Sequence, residues 1–347
     1  MKRLNLLLLG CIISLFNMMA QKQTASYSVS CVAFYNLENL FDTINDPIIN
    51  DEEFLPQGGY HWSALKYENK LRNMAYAISQ IGKNVSPVGP VILGVSEIEN
   101  RRVLEDLVKE PAIKDQNYQI VHYDGPDRRG VDVGLLYNPT YFTVTNSVSH
   151  RLVIPDKPDF KTRDQLMVSG YLQGEKVYVI VNHWPSRYGG ELYSRPNRNA
   201  AAALTKQICD SIYKTDAKAK IIIMGDLNDD PYNESCAKVL GAKKNKEQVE
   251  PQGYYNTLWK TLSRGIGSLG YNDAWNLFDQ IIISVNLANA DRSKELGFWK
   301  AEIFNQPFLI VQEGQNKGYP KRTHQGGVWL NGYSDHFPVL IYLIKQK

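Results

Sequence analysis

The chain has no heptad run, no internal repeat and no low-complexity tract, which excludes coiled coils, solenoids and collagen-like fibres. Cysteine is scarce, with four among 347 residues. Cys11 lies near the N-terminus, and Cys31, Cys209 and Cys236 are irregularly spaced, so neither a disulfide framework nor a zinc site is indicated. One bridge in an oxidising compartment and three buried thiols are both open readings. A surplus of charge is missing as well: 39 basic and 36 acidic residues leave a formal +3, and setting aside Lys2 and Arg3 leaves about +1. Net charge therefore does not argue for a nucleic-acid partner, although a local cationic patch would be enough for one. What is present is ordinary globular composition, 43% hydrophobic and 22% charged, enough for a large core.

The N-terminus stands apart. Lys2 and Arg3 precede an apolar run from Leu4 to Phe16, and Met18-Met19-Ala20 leads into Gln21-Lys22-Gln23. This pattern describes a signal peptide over residues 1–20, cleaved after Ala20. The run is too short for a comfortable membrane span, and no span is expected in the mature chain. Leu8-Leu9-Gly10-Cys11 faintly resembles a lipoprotein box, but the apolar run continues past Cys11. Lipid anchoring there is the alternative to a secreted or periplasmic protein.

From about Ser28 onward strands and helices alternate. Strands are expected at Ser30–Tyr35, Val91–Val95, Tyr118–Tyr123, Asp132–Tyr137, Tyr141–Val148, Leu166–Leu172, Val177–Val181, Lys220–Met224, Gln280–Ser284 and Pro338–Ile344. Helices are expected over Ser63–Ile81, after the cap Asn100, and over Asn199–Tyr213. Asn286–Gly332 reads as a long connection with one or two short elements. No Pro, Gly or Ser linker interrupts the series, so a single α/β domain is expected over 26–347.

Polar groups recur where these apolar strands end, which is where α/β folds tend to build sites. They are Asn36-Leu37-Glu38-Asn39, Glu97, Asn182-His183, Asp226-Leu227-Asn228 and Ser334-Asp335-His336, with Asp279 opening another strand. One such acid is more often a cap or turn former. Together they are the hard-oxygen ligands and acid–base groups that phosphoester hydrolysis needs. A cation such as Mg²⁺ takes carboxylate and amide oxygens and neutralises phosphate charge. A carboxylate aligns and deprotonates water, and a histidine donates to the transition state. A second acid can fix that histidine's tautomer.

Seven segments in order then resemble the endonuclease/exonuclease/phosphatase superfamily: FYNLENLFD at 34–42, SEIEN at 96–100, PDRRGVDVGLLYNP at 126–139, NHWPSR at 182–187, GDLNDDP at 225–231, the stretch Gly267–Ser284 and SDHFPV at 334–339. The resemblance implies a four-layer α/β sandwich, with two mixed sheets face to face and helices outside. It implies Asn36, Glu97 and Asp335 as metal-site positions. Asp226 resembles the general-base acid, with Asn228 beside it as a phosphate or water anchor. His336 resembles the catalytic histidine and Asp279 the acid that orients it. Asn182 and His183 resemble a second phosphate-contacting pair, His183 being counted with the catalytic groups. Arg163 matches a phosphate-binding arginine more softly. Where apurinic-site nucleases carry an aspartate, this chain has Glu38, whose longer side chain reaches either a metal or a turn.

The remaining histidines, His61, His122, His150 and His324, are expected in loops without paired ligands. The leading expectation is a secreted, monomeric nuclease using Mg²⁺ or Mn²⁺, with Arg101, Arg102, Arg128, Arg129, Arg187, Arg195 and Arg198 following a phosphate backbone and Trp184 and Tyr188 available to stack. The second is a phosphomonoesterase or lipid phosphodiesterase, of the inositol-phosphate phosphatase or sphingomyelinase type. The third, a non-catalytic binding module, would require broken catalytic positions, and the core positions are intact. Substrate choice falls to the loops 42–59, 188–199 and 286–332, which carry no readable code.

Overall fold

The computed structural model describes residues 26–271 and 273–347. The first sheet is built from β1 (Tyr27–Leu40), β2 (Pro90–Ile98), β3 (Gln119–His122) and β4 (Asp132–Tyr137). The second contains β5 (Phe142–His150), β6 (Gln165–Leu172), β7 (Glu175–His183), β8 (Lys220–Asp226), β9 (Tyr254–Asn256) and β10 (Asp279–Ser284). The chain then returns to the first sheet with β11 (Gly297–Ile303) and β12 (Val339–Gln346). The two six-stranded sheets run β11-β12-β1-β2-β4-β3 and β5-β6-β7-β8-β10-β9. Both are mixed, because β1 and β2 pair in parallel, as do β7 and β8, among otherwise antiparallel neighbours.

Side-chain alternation explains the layering. Val32 and Phe34 of β1 join Val179, Val181, Ile222 and Met224 in a core between the sheets. The intervening Cys31, Ala33 and Tyr35 face helices α1 (Ala64–Gln80) and α2 (Arg101–Lys109). On the other side Tyr178, Ile180, Ile221 and Ile223 pack against α3 (Glu191–Thr215). Three stacked apolar layers therefore separate helix, sheet, sheet and helix, the sandwich that the sequence resemblance implied. Among the described residues no helix is long and apolar enough to cross a membrane.

Several expectations are corrected. Strands β1, β2, β7 and β8 run on through Asn36, Glu97, His183 and Asp226, so these residues lie within the strand ends rather than after them. Helix α3 starts at Glu191, eight residues before the expected Asn199, and contains Pro196. The proline sits in the second turn and removes only the bond that would reach back to the carbonyl of Leu192, a residue on the exposed side of the helix. Strand β11 falls inside the segment read as a connection; as a half-exposed edge strand it lacks a continuous apolar run. The three described cysteines are buried and free. Cys11 and the segment 1–20 lie outside the described residues.

His122 is not an unpaired loop residue: it sits on β3 with Nε2 3.3 Å from Asp132 Oδ2. His324 begins a short hairpin and packs against Tyr60 and Trp62, with ring centroids 4.7 and 5.5 Å away. Burial, helped by Lys66, Lys70 and Arg322, pulls its pKa down to about 4. Between the ordinary histidine value and pH 4 the unfolded chain thus binds a proton that the folded chain refuses, so stability falls as pH falls through that window. His324→Gln is expected to flatten the Tm-versus-pH curve there; an unchanged slope would refute this account.

Candidate active site

The site grows out of the inter-sheet core where the sandwich opens. Val179, Val181 and His183 share one face of β7, as do Ile222, Met224 and Asp226 on β8. Cross-strand register then aligns three groups in one row: His183 pairs with Asp226, and Asp226 with Asp279. From the facing sheet Val32, Phe34 and Asn36 follow the same alternation. Glu97 would point the other way, but register breaks between Ser96 and Ile98, and Glu97 adopts φ 56°. Glu38, Asn39 and Asn228 are left-handed too, at φ 47°, 51° and 50°. Each such conformation costs about 1–3 kcal/mol and is retained only where surrounding structure enforces it.

Asp226 is the centre. Its Oδ1 accepts the Asn228 amide N–H at 2.9 Å, and Oδ2 accepts Asn36 Nδ2 at 3.1 Å. The same Oδ2 lies 3.6 Å from His183 Nε2 and 4.0 Å from His336 Nε2. Burial pushes the Asp226 carboxyl up to about 6, against the pull of His336. The two histidines differ in charge. Burial opposes protonation of His336, but Asp279 2.6 Å from Nδ1, together with Asp335 and Asp226, outweighs it and holds the ring well above its ordinary pKa. Burial, with Arg163, Arg129 and His336 adding repulsion, holds His183 well below. A cationic and a neutral imidazole therefore flank one carboxylate.

Three more carboxylates gather beside this row. Glu97 Oε2 accepts the Asn39 amide at 3.0 Å, while Oε1 stands 3.9 Å from His183 Nε2. Asp335 Oδ2 accepts Arg322 Nη2 at 2.7 Å, while Oδ1 stands 3.9 Å from His336 Nε2. Among the described residues neither Glu97 Oε1 nor Asp335 Oδ1 accepts a hydrogen bond. Open carboxylate oxygens of this kind are the donors a hard divalent cation takes, and Asn36 Oδ1, which accepts the Glu38 amide at 2.9 Å, is an amide oxygen of the same hardness. Glu38 is placed differently. Its Oε2 accepts the Thr323 amide at 2.6 Å and lies 3.9 Å from Lys70, and its Oε1 is 3.5 Å from Arg322. Burial and Asp335 push it up to about 7. Glu38 thus anchors the loop that carries Arg322 and Asp335, with both oxygens engaged by the protein.

Asn182 does not join the row. By alternation it points toward α3, fully buried. Its amide donates to the Ile180 and Met224 carbonyls and accepts from Trp184 Nε1 and Thr205 Oγ1, which uses all of its capacity. It has no bond left for phosphate, a correction to the paired role expected from Asn182-His183. Asn182→Ala is expected to cost about 2–4 kcal/mol of stability, because several buried partners lose their bonds, while the folded variant keeps most of its kcat/KM. A large drop in kcat/KM at unchanged Tm would contradict this. Arg163 is at the margin of the site: Nη1 holds Asp127 at 3.1 Å and Nη2 the Trp184 carbonyl at 2.6 Å. Asn228 Nδ2 also holds that carbonyl, at 3.0 Å, leaving its Oδ1 free for substrate or water.

Three residues unnoticed in the sequence, and two arginines expected to follow a phosphate backbone, complete the surroundings. Lys70, Arg322 and Thr323 meet Glu38 and Asp335 from helix α1 and a distant loop, and no spacing signals that convergence. Arg187 and Arg198 fix the loop after Asp226 through Asp229, at 3.2 and 2.7 Å.

A family model described as the endonuclease/exonuclease/phosphatase family matches residues 31–345. No curated protein matches the chain. Among solved structures it is similar to an endonuclease/exonuclease/phosphatase family protein from Bacteroides thetaiotaomicron, with TM-score 0.54, 14% identity and coverage of 93% of this chain and 97% of that one. It is similar to a mannosyl-6-phosphatase of the same organism, with TM-score 0.53, 14% identity and coverage of 90% and 99%. It is also similar to D. rerio TDP2 complexed with single strand DNA product, with TM-score 0.52, 14% identity and coverage of 91% and 99%. At these identities the likenesses establish a shared fold.

Proposed function

The chain belongs to the endonuclease/exonuclease/phosphatase family, and we propose that its own reaction is divalent-cation-assisted attack of water on a compact phosphate ester. The row Asp279–His336–Asp226–His183 carries the reading. Asp226, held at both oxygens by Asn36 and the Asn228 amide, orients the attacking water and takes its proton. His336 is kept cationic and pointed by Asp279, and its Nε2 donates to a phosphoryl oxygen as charge develops there. Neutral His183 stands 3.6 Å from the same Asp226 Oδ2 and adds a second imidazole that can contact water or a phosphoryl oxygen. Glu97, Asp335 and Asn36 are the residues that would hold the cation, Mg²⁺ or Mn²⁺; when bound it neutralises phosphate and leaving-group charge.

The arginines argue for a compact substrate. Of the seven expected to track a nucleic-acid backbone, Arg101, Arg102, Arg129, Arg187, Arg195 and Arg198 are paired with carboxylates. Arg128 reaches the Asp159 carbonyl. Pairing of this kind offsets part of the positive charge that a polynucleotide would meet. One observation favours the nuclease reading instead: a cavity of about 370 Å³ beside Arg163 is lined by Lys157, Lys161, Tyr188 and Tyr193, and both tyrosines are exposed enough to stack on bases.

A panel of p-nitrophenyl phosphate, hexose phosphates, bis(p-nitrophenyl) phosphate and single-stranded DNA separates these readings. Small esters should turn over with Mg²⁺ or Mn²⁺ and not after chelation. DNA cleaved with a higher kcat/KM than every small ester would overturn the compact-substrate reading. Export, with cleavage after Ala20, belongs to the same proposal, as does a single chain as the working unit, since the groups named come from one chain. A mature N-terminus at Gln21 by mass spectrometry is the expected result for export.

A further inference from the structure

Beside Asp335 and Arg322 a cavity of about 300 Å³ opens among the loop 311–320, the hairpin that begins at His324 and the residues Gly270, Tyr271 and Asp273. Its wall is built rather than incidental. Tyr319 lies edge-on to Trp275, with centroids 5.2 Å apart at 84°. A methyl group on Gly270 would sit 2.3 Å from the Tyr319 ring, so only glycine lets that ring lie flat there. Trp275 in turn stacks on Phe337, the neighbour of His336, at 6.0 Å and 24°. Asn316 Nδ2 donates to Gln325 Oε1 at 2.9 Å and ties the two loops across the cavity. Asp273 adds a carboxylate to the lining. The cation of the cavity, Arg322, is already paired with Asp335 and Glu38.

We infer that this cavity is a specificity pocket for the group esterified to the scissile phosphate, and that the group is an uncharged polyhydroxylated residue such as a sugar or polyol. The inference rests on the proposed hydrolase reading, because it is Asp335 that joins the cavity to the catalytic row. Amides and a carboxylate satisfy adjacent hydroxyls by donating and accepting at once, and a rigid tyrosine ring offers a surface to the C–H face of a sugar. Among the residues lining the cavity the cation, Arg322, is already paired, so a second phosphate would meet Asp273 and Asp335 there and the pocket disfavours polyphosphates and strands. An analogue lacking the hydroxyls would forgo the bonds that Asn316, Gln325 and Asp273 offer from the rim of the cavity, and its kcat/KM falls accordingly.

The test compares hexose phosphates with p-nitrophenyl phosphate, whose leaving group has no hydroxyl array, in wild type and in an Asn316→Ala/Gln325→Ala double variant. The ratio of kcat/KM for the preferred hexose phosphate to that for p-nitrophenyl phosphate should fall about tenfold in the variant, the loss expected for two polar contacts. An unchanged ratio overturns the pocket. A preference for a nucleoside monophosphate over every hexose phosphate overturns the ligand class. Calorimetric binding of the hexose phosphate to Asp226→Asn, with and without the double substitution, decides the pocket independently of turnover; equal affinities refute it. If no phosphate ester is hydrolysed with either metal, the hydrolase reading fails, while the binding measurement still decides the pocket.

Discussion

Asp226→Asn is expected to lower kcat/KM by about two to four orders of magnitude, the range associated with a positioned general base, with the fold retained. The substitution keeps the shape and removes the proton acceptor. It also replaces an oxygen that accepts from Asn36 Nδ2 or from the Asn228 amide with an NH₂ group, so water is left both unactivated and unaligned. Stability should move the other way. The Asp226 carboxyl is pushed up to about 6 because burial penalises its charge. A folded-state pKa above the unfolded one means that the folded chain holds the extra proton between those values, and stability is lost as pH rises through the window. A neutral amide removes that penalty above pH 6. In protein stripped of metal, Asp226→Asn should therefore match or exceed wild type in Tm at pH 7 while being almost inactive. Activity within tenfold of wild type would remove Asp226 from its assigned role. Full inactivity with a collapsed Tm would make the residue structural.

Gly225→Ala should cost about 3–5 kcal/mol, at the upper end for a single methyl group. Gly225 lies one residue before Asp226, and a Cβ there would stand 2.2 Å from the Asn182 carbonyl oxygen and 2.7 Å from Asn182 Cβ. Both lie on the neighbouring parallel strand, paired with Gly225 itself. The obstacle is backbone, so no rotamer change relieves it, and β7 and β8 would have to separate where they carry His183 and Asp226. Gly174 supplies the comparison. It has φ 78° in a turn, and a methyl group there would meet nothing within 4 Å, so Gly174→Ala should cost only about 1–2 kcal/mol of backbone strain. Urea unfolding of both variants measures the difference. Gly225→Ala within about 1 kcal/mol of wild type would show that the strands yield more readily than close packing allows.

Much of this site was legible because its chemistry is local. Glu97, Asp226, Asp335 and His336 each follow or precede an apolar run, and polar residues at such ends stand out. Asn182 could have been read better. Val177, Val179, Val181 and His183 form one face of a period-two pattern and Tyr178, Ile180 and Asn182 the other, so alternation alone separates the two members of that pair. Glu97 shows the opposite case: strict alternation sends it away from the site, and only a bulge and a left-handed backbone bring it back. Arg322 was beyond reach. Its partner Glu38 is 284 positions away in sequence, and nothing near Arg322 distinguishes it from a solvated surface charge. The early start of α3 was hidden by Pro196, which ordinarily ends a helix and here sits near the beginning of one, where it costs a single bond.

The row His183–Asp226–Asp279 belongs to three adjacent strands in fixed register. Its chemistry is therefore tied to counting. Deleting or inserting one residue inside β7, β8 or β10 would turn the reactive side chain to the helix side and a neighbour into the cleft. An insertion of any length in the loops beyond would leave the count untouched. The strand-borne part of the site thus tolerates no change in length, and of the loops around it the one before β12, which carries Asp335 and His336, shares that constraint.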